Sequence, residues 1–599
     1  MTTLPQRADV AQEYTWKLES IFPSLEAWEQ SFSSVERDLP GLAKYQGRLG
    51  ESAATLQAWL SESERITQLA RKVATYSHLR FDEDTTNQGN AALNGRAQSL
   101  MARVAAAQAF ASPELLGLGQ ERLSELITGN PLLEGYRHAL DNLLRLREHV
   151  RSAEVEDLLA QAGEPLSATR NTFSALADGD LSFEAAQDAQ GNQHPVARGT
   201  IDGLLGSPDK TLRQSAWESY NDGFLRVKNT MAALMLGNVR AAVFHARARG
   251  YASSLEASLA TNNIPLAVFE NVIDACNRHQ GIWHRYWELR RRALGLEKLQ
   301  GSDIFAALTE ERTAVPYSQS VDWICAGMQP LGDDYVNIMR RGLTEERWVD
   351  IYPNVGKRGG AYSSGTYGTN PFILMSYSGG LKSMSTLAHE LGHSMHSYFA
   401  RRDQPYVYSG YSLFVAEVAS NFNQALVRAH LLRQGGDADF QIALIEEAMG
   451  NLHRYLFVMP ILAQYERYVH AEVERGKAPT ADTMSSYLAD LLRTGYGPAV
   501  AVDTQRDGIA WATFPHMYSS FYVYQYASGI AAANALAVPI AEGDQDAIAR
   551  YRQFLSAGSS LYPLDALKLA GIDMRTPEPM DRAFSVLDGF VTRLEKLML

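Results

Sequence analysis

Helical periodicity is the feature that most limits what this chain can fold into. Apolar residues recur three and four positions apart in long segments, such as those that begin at Ser24, Leu56 and Leu132, with strong helix formers between them. A chain of 599 residues is several times longer than a single hydrophobic core requires. The sequence therefore predicts a predominantly α-helical protein built from several parts.

Breaks in the periodicity suggest where these parts meet. Around residues 186–200 the helical pattern gives way to AQDAQGNQHPVARGT, which is typical of a loop or a short hairpin at a domain boundary. We expect an N-terminal helical lobe over residues 1–112, a second helical subdomain over residues 113–190 and a large third domain over residues 200–599.

Charge and cysteine content argue against several functional classes. The formal net charge of −13 disfavours nucleic acid or an anionic membrane as a partner, because both require clustered Lys and Arg. Cys276 and Cys325 are the only cysteines, too few for a disulfide framework or a cysteine-based zinc cluster. No export signal or membrane anchor is visible. We therefore expect a cytoplasmic protein.

One region departs from the helical pattern. Residues 356–380 contain seven glycines and a mostly apolar and aromatic run from Phe372 to Tyr377. A short apolar run bounded by turn residues is typical of a strand. The sequence thus predicts a small β-sheet directly before the next helix.

That helix carries LAHELGHSMHSYFA, residues 387–400, in which His389, Glu390 and His393 form an HExxH motif. Residues four apart share one helix face, so the two imidazoles can bind one ion while Glu390 faces its open side. His396 lies about 10 Å along the axis from His389, whereas every ligand of a zinc ion lies about 2 Å from it. We therefore interpret His396 as a core histidine.

A catalytic zinc site needs a third protein ligand. Glu417 is the only acid in the apolar helical segment of residues 411–432, and burying an acid is costly unless it is paired or binds a metal. Pairing with an arginine is the alternative interpretation. Together with HExxH, Glu417 makes a two-histidine, one-glutamate site the leading hypothesis.

Several longer stretches are similar to one known family. They are HARARGYASSLEASLATNNIP from His245, GKRGGAYSSG from Gly356, PFILMSYSGGL from Pro371, FVAEVASNFNQAL from Phe414 and FPHMYSSFYVYQYASGIAAA from Phe514. With HELGH, they resemble oligoendopeptidase F, of the thimet oligopeptidase group of zinc metallopeptidases. One departure is Gln424, where this resemblance leads us to expect glutamate.

The resemblance implies a multi-helix metallopeptidase body with a small sheet next to the HExxH helix and a substrate channel between lobes. Residues 200–599 would be the metallopeptidase domain, with one Zn²⁺ per chain on His389, His393 and Glu417. The implied function is hydrolysis of internal bonds in short unstructured oligopeptides by a metal-activated water, with Glu390 as the general base. Oligopeptides are thus the expected partners, and the oligomeric state is not predicted.

Residues that stabilise the oxyanion are expected in the segment that begins at Phe514. It carries five candidate donors, which cannot all face one oxygen: His516, Tyr518, Tyr522, Tyr524 and Tyr526. The resemblance points to His516, Tyr522 and Tyr524 as catalytic residues, and the choice among the tyrosines stays open.

The glycine-rich region is the predicted substrate-binding element. A strand at Phe372–Tyr377 with an exposed edge could pair with an extended peptide by β-augmentation. The candidate substrate-binding residues are Gly360, Ala361, Phe372, Ser376 and Tyr377. The alternative is that this sheet is purely structural.

Two other functions stay open. A dipeptidyl carboxypeptidase or other exopeptidase on the same scaffold would need a cation for a terminal carboxylate, and Lys357 or Arg358 could supply it. A helical scaffold that binds peptides without hydrolysis is disfavoured, because the ligands and the base are all present.

Overall fold

The computed structural model describes residues 4–309 and 313–598, and most of them are helical, which confirms the predicted fold class. The chain folds into two compact units. The first comprises the described residues of Met1–Val150, Ala314–His430 and Leu536–Gly571, and the second those of Arg151–Thr313, Leu431–Ala535 and Ile572–Leu599. The three-part division expected from the sequence stays a prediction.

Several helices of the first unit are capped at the N-terminus by a short polar side chain. Ser24, Ser52 and Asn87 each accept a hydrogen bond from the backbone N–H three residues further on, an interaction that contributes about 1 kcal/mol per helix. Its α-helices are Leu25–Asp38, Ala53–Glu83, Gln88–Gln108, Ala111–Ile127, Pro131–Glu134, Arg137–Arg145, Tyr317–Gly327, Asp333–Leu343, Leu381–Asp403, most of Leu413–Gln434, Gln545–Ala557 and Pro563–Leu569.

The second unit is also helical and has a large aromatic core, with Trp283 and Trp287 stacked at a ring separation of 6.1 Å. Its α-helices are Ala153–Ala175, Ile201–Leu205, Lys210–Arg226, Lys228–Ala248, Ser254–Ala260, Leu266–Arg278, Gln280–Ala293, Ala438–His453, Met459–Glu474, Ala481–Tyr496, most of Tyr524–Ala541, and Glu578–Met598. Among the described residues of both units, no helix has the length and apolar character needed to cross a membrane.

Shorter helical turns link these elements. The 3₁₀ turns are Arg7–Asp9, Gln12–Tyr14, Leu18–Ser20, Leu39–Tyr45, Arg147–His149, Gly301–Asp303, Gln329–Leu331, Tyr406–Tyr408, Gly508–Ala512 and Pro515–Tyr518. Two π-helical turns occur at Leu176–Asp180 and Arg454–Val458.

Three small sheets interrupt the helices within the described residues. Ala186–Gln187 pairs antiparallel with Gln193–His194, which confirms the hairpin alternative at the break in periodicity. Leu299–Gln300 pairs parallel with Val500–Ala501. The third sheet has three strands and lies against the HExxH helix, as predicted.

The order of strands in this third sheet corrects the predicted peptide-binding edge. Phe372–Leu374 is the central strand, with Val349–Asp350 parallel on one side and Tyr362–Ser364 antiparallel on the other. The strand predicted to have a free edge, Phe372–Tyr377, is therefore paired with another strand of the same chain on each side. Tyr362–Ser364 is an edge strand instead.

An N-terminal strap, residues 5–17, is bonded to the segment that joins two strands of this sheet, Val349–Asp350 and Tyr362–Ser364. The backbone N–H groups of Val355 and Ile351 donate to the carbonyls of Pro5 and Tyr14, both at 3.0 Å. Trp16 packs edge-on against Phe372. The strap thus contributes to the side of the unit that carries the three-stranded sheet.

Arg7 in the strap completes a buried cluster of charges. Its guanidinium bonds both carboxylate oxygens of Asp350, at 2.9 and 2.6 Å, and lies 2.9 Å from Glu83. Lys357 lies 2.7 Å from Asp350, and the side chains of these two residues are each 1% exposed. Arg80 lies 3.4 Å from Glu83, so three cations surround the two carboxylates. Removing one partner of such a cluster leaves a buried charge without compensation.

We expect Arg7→Met to lower the free energy of unfolding by about 3–5 kcal/mol, because it removes the cation that bonds both buried carboxylates. The measurement is a urea titration followed by tryptophan fluorescence. Arg37→Met is the matched control, because Arg37 is 73% exposed in its pair with Asp38 and should change stability by no more than about 0.5 kcal/mol. Equal effects of the two substitutions would contradict the assignment.

Candidate metal centre

His389, His393 and Glu417 come together on two helices of the first unit. His389 and His393 lie one turn apart on Leu381–Asp403, with ring centroids 4.9 Å apart, and Glu417 lies on Leu413–Gln434. The Nε2 atoms of His389 and His393 are 3.5 and 4.0 Å from the two carboxylate oxygens of Glu417. Each residue offers one donor atom, and the three atoms lie within 4.8 Å of one another.

These separations fit a four-coordinate divalent ion. Donors bound at about 2.0–2.1 Å in a tetrahedron are about 3.3–3.4 Å apart, so small side-chain adjustments close the site. Burial is the main cause of a lowered pKa at His393, which keeps its imidazole in the neutral form that binds metals. Two imidazoles and a carboxylate leave one position open, as in catalytic zinc sites.

The two helices can bring these ligands together because Gly392 has no side chain. A Cβ atom built at Gly392 would lie 2.3 Å from the carbonyl oxygen of Ala419 and 2.5 Å from the Cα of Ser420. Both contacts are with backbone, which cannot move aside as a flexible side chain could. The glycine inside HELGH is therefore needed for the close approach of the Glu417 helix.

Each histidine is oriented by a partner outside the ligand group. Nδ1 of His389 donates to Oε1 of Gln424 at 3.0 Å, and Nε2 of Gln424 donates to Oγ of Ser385 at 2.8 Å. A ring N–H of His393 donates to the carbonyl of Ala416. Because Nδ1 of His389 is bonded to Gln424, its Nε2 is the atom that can bind the ion.

Glu390 lies between the two histidines in sequence and is buried, with 7% of its surface exposed. The backbone N–H of Ser363, in the edge strand, donates to its carboxylate. Burial raises the pKa of Glu390 to about 7, with His389 opposing the rise and Glu417 adding to it. Glu390 is thus a carboxyl group whose proton affinity is set near neutrality, next to the ligand group and the edge strand.

His396 lies outside the ligand group, as predicted. Its ring stacks on Tyr411 at 3.7 Å and packs against Phe554, and burial lowers its pKa to about 3. His396 is a neutral core residue. Its stacking partner Tyr411 donates a hydrogen bond to the backbone carbonyl of His393. His396 therefore contacts the ligand helix indirectly, through Tyr411.

The structure separates the five candidate substrate-binding residues into two groups. Phe372 and Tyr377 are core residues, and the Tyr377 hydroxyl bonds to Ser320 and to the carbonyl of Val315. Their side chains are therefore enclosed and offer no exposed surface to a substrate. Gly360 and Ser376 are exposed and Ala361 is partly exposed, so these three stay candidates.

The predicted oxyanion residues lie in the second unit, on the segment that leads into Tyr524–Ala541. The rings of His516 and Tyr522 are parallel at 5.9 Å, and the hydroxyl of Tyr522 lies 3.1 Å from that of Tyr526. Tyr524 is 2% exposed and packs against Phe269. The candidate group is thus His516, Tyr522 and Tyr526, with Tyr524 in the core.

Three residues of these sites were absent from the sequence-based assignment. Ser363 gave no signal, because a backbone N–H donor cannot be read from side-chain identity. Tyr526 was one of five equivalent candidates. Tyr522 precedes the helix Tyr524–Ala541, so helical spacing alone does not pair it with Tyr526. Gln424 was noticed only as a departure from the family pattern.

We expect Gln424→Leu to weaken binding of a divalent ion by about 10–100-fold, because His389 would lose the partner that fixes its orientation. Gln424→Glu retains an acceptor and should bind at least as tightly as the parent. The measurement is competition for Zn²⁺ with a chromophoric chelator. Gln545→Leu, at an exposed position, is the control and should leave affinity unchanged. Equal affinity in both leucine variants would contradict the role of Gln424.

The sequence of this chain is similar to those of known peptidases. Residues 204–586, more than half of the chain, match the family described as Peptidase family M3, and residues 114–183 match the one described as Oligopeptidase F. Oligopeptidase PepF of Bacillus subtilis (strain 168) is 38% identical over 597 residues, which cover 100% of this chain and 89% of that protein.

Two crystal structures share the fold. One from Chlamydophila abortus has a TM-score of 0.90 at 32% identity and covers 99% of this chain and 100% of its own. Oligoendopeptidase-F from Enterococcus faecium has a TM-score of 0.75 at 29% identity and covers 96% of this chain and 99% of its own. From the family match, the full-length similarity to PepF and the His-His-Glu group, we conclude that this chain belongs to peptidase family M3 and is a metallo-oligopeptidase.

Proposed function

We propose that this protein is a zinc-dependent endopeptidase that hydrolyses internal bonds of short unstructured oligopeptides, with one Zn²⁺ per chain. The observation that carries the proposal is the convergence of His389, His393 and Glu417 beside the buried carboxyl of Glu390. Zinc suits two neutral imidazoles and a carboxylate. When bound there, the ion supplies Lewis acidity, which lowers the pKa of a water molecule and polarises a carbonyl.

Glu390 is the general base in this proposal. Its carboxylate takes a proton from the attacking water and delivers it to the amine that leaves. The hydrogen bond from the backbone N–H of Ser363 holds the carboxylate in place. Because that N–H belongs to the edge strand, the base is fixed relative to the strand nearest to it.

The edge strand Tyr362–Ser364 is the proposed site of peptide alignment. An extended substrate can add to a sheet edge through backbone hydrogen bonds, which are independent of side-chain sequence. The strand is held to the HExxH helix by the hydroxyl groups of Ser363 and Ser394, which lie 2.8 Å apart. Gly360 and Ala361 lie directly before the strand and Ser376 follows its central neighbour, so these three are proposed to contact substrate.

His516, Tyr522 and Tyr526 are the proposed donors to the oxyanion. Burial lowers the pKa of His516, and the nearby cations Arg454, Arg170 and Arg198 lower it further. A neutral imidazole is a donor at one nitrogen only, and a tyrosine hydroxyl donates readily at neutral pH. The family resemblance of this segment supports a role in catalysis for the group.

An exopeptidase is the second candidate, and the cations available near the sheet disfavour it. Lys357 is buried and bonded to Asp350, so it is not free to hold a terminal carboxylate. Arg358 is 47% exposed and pairs with Asp82.

A cytoplasmic location is part of the proposal, and it is supported by the two cysteines, which are both free thiols.

We expect Glu390→Gln to lower kcat by about 10²–10⁴-fold, because a general base contributes about that factor. Zinc content, measured by elemental analysis, should equal that of the parent, because Glu390 is not a ligand. Glu125→Gln is the control, since its side chain is 60% exposed, and it should be fully active. Full activity of Glu390→Gln would sink the mechanism.

Cleavage of peptides blocked at both ends distinguishes an endopeptidase from an exopeptidase. We expect internal cleavage of such peptides, identified by mass spectrometry, because alignment on an edge strand needs no free terminus. A set of increasing length should show a loss of activity for long chains, in line with the predicted channel. Cleavage restricted to peptides with a free C-terminus would favour the exopeptidase.

We expect His516→Phe to lower kcat by about 10²–10³-fold with unchanged zinc content, as is typical when one oxyanion donor is removed. Tyr518→Phe is the control within the same segment, because the Tyr518 hydroxyl is buried against Phe173 and has no hydrogen-bond partner among the described residues. A reduction of the same size in Tyr518→Phe would indicate a general loss of structure.

A further inference from the structure

The arrangement of His516 and Tyr522 depends on a tight turn between them. His516 lies in the 3₁₀ turn Pro515–Tyr518, and the backbone N–H of Tyr522 donates to the carbonyl of Ser519 at 3.0 Å. This turn folds the chain back, so that the ring of Tyr522 is parallel to that of His516. The conformation of residues 519–521 therefore sets where the two side chains point.

Phe521 in this turn has a backbone conformation that its side chain disfavours. Its φ angle is +56°, and only two other non-glycine residues among those described have a positive φ, Asn263 and Arg347. The left-handed region brings Cβ close to the following carbonyl oxygen, and it is rare for bulky aromatic residues. Such a conformation persists only where neighbouring groups hold it.

A buried carboxyl group holds this position. Oε1 of Glu466 accepts the backbone N–H of Phe521 at 2.6 Å, and Glu466 is 2% exposed. The ring of Phe521 is enclosed by Phe269 at 6.0 Å and by His470 at 4.4 Å. His470 is itself fixed by Ser254, whose hydroxyl lies 2.8 Å from Nδ1. Both the backbone and the ring of Phe521 are thus secured.

Within the part of the chain that the structure describes, no charged partner explains the presence of a carboxyl group here. His470 is the basic side chain that pairs with Glu466, and its Nε2 lies 4.0 Å from Oε1. Burial lowers the pKa of His470 to about 3 and raises that of Glu466 to about 8, so both are neutral at pH 7. What Glu466 gives the turn is therefore an acceptor oxygen at a fixed place, and not a charge.

We propose that Glu466 is a positioning residue for the catalytic segment: by fixing Phe521 in a left-handed conformation, it holds Tyr522 against His516. This inference rests on the proposed function of His516 and Tyr522. A residue that only fills the core would stabilise the unit without any specific effect on those two side chains. The two roles differ in what Glu466 substitutions do to kcat.

The first experiment compares three substitutions in the zinc-loaded full chain. Glu466→Gln keeps a neutral acceptor of the same length, so kcat should stay close to that of the parent. Glu466→Leu removes the acceptor and should lower kcat by about 10²-fold, as expected for a small displacement of catalytic groups, with zinc content unchanged. Glu466→Asp withdraws the acceptor by one methylene and should fall between them. If the leucine variant does not fold, the aspartate variant provides the same test.

A control is available at Asp507, a partly exposed carboxyl, which accepts the backbone N–H of Asp503 at 2.7 Å in a different turn. Asp507→Ala should lower thermal stability and leave kcat unchanged. Hydrogen exchange measured by mass spectrometry gives a readout that is independent of activity. Glu466→Leu should increase exchange of peptides that cover residues 519–522, and Asp507→Ala should not.

A double-mutant cycle decides between positioning and general stability. In a His516→Phe, Tyr522→Phe background, Glu466→Leu should lower kcat by less than about threefold, because the groups that it positions are gone. An unchanged 10²-fold effect in that background would overturn the proposal, as would a Gln variant as impaired as the Leu variant. If His516→Phe alone leaves kcat unchanged, the proposed role of His516 fails, while hydrogen exchange still reports whether Glu466 anchors the turn.

Discussion

The contact between Gly392 and the backbone of Ala419 and Ser420 is the constraint on which the metal centre depends. It sets the separation of two helices, and that separation places the carboxylate of Glu417 between 3.5 and 4.0 Å from the imidazoles of His389 and His393. A methyl group at residue 392 would push the backbones apart. Because a zinc ligand must lie about 2 Å from the ion, a wider separation of the helices would move Glu417 away from bonding distance. Gly392 binds nothing itself, but the metal centre needs a glycine at this position as much as it needs the two histidines.

Around this contact, neutral polar groups fix each functional side chain from outside. Gln424 orients His389, the carbonyl of Ala416 orients His393 and the N–H of Ser363 orients Glu390. None of these partners carries a formal charge. In this arrangement the carboxylates of Glu417 and Glu390 carry the charge of the centre, and the neutral partners orient the side chains. Glu466 acts on Phe521 in the same way, as an uncharged acceptor that determines a backbone geometry.

Formal charges are used differently in the supporting structure. Arg7, Lys357, Asp350 and Glu83 form a compensated cluster that ties the N-terminal strap to the sheet beside the HExxH helix. The cluster involves Lys357, which the sequence alone offered as a ligand for a peptide terminus. Its burial removes that role. The same glycine-rich segment then continues into the edge strand, so its buried end is structural and its partly exposed end is the proposed site of peptide alignment.

The sequence by itself determined the helical fold class and singled out His389, His393 and Glu417, which the structure brings together, because helical spacing and an isolated acid in an apolar helix are local properties. It also determined that a sheet precedes the HExxH helix. Only the tertiary structure decided which strand is the edge, that Phe372 and Tyr377 are enclosed, that Tyr526 rather than Tyr524 accompanies His516, and that Lys357 is paired. Each of these depends on which residue, distant in sequence, packs against the side chain in question. Trp16 packs against Phe372, and Phe269 packs against Tyr524. Such long-range contacts leave no periodic trace in the sequence.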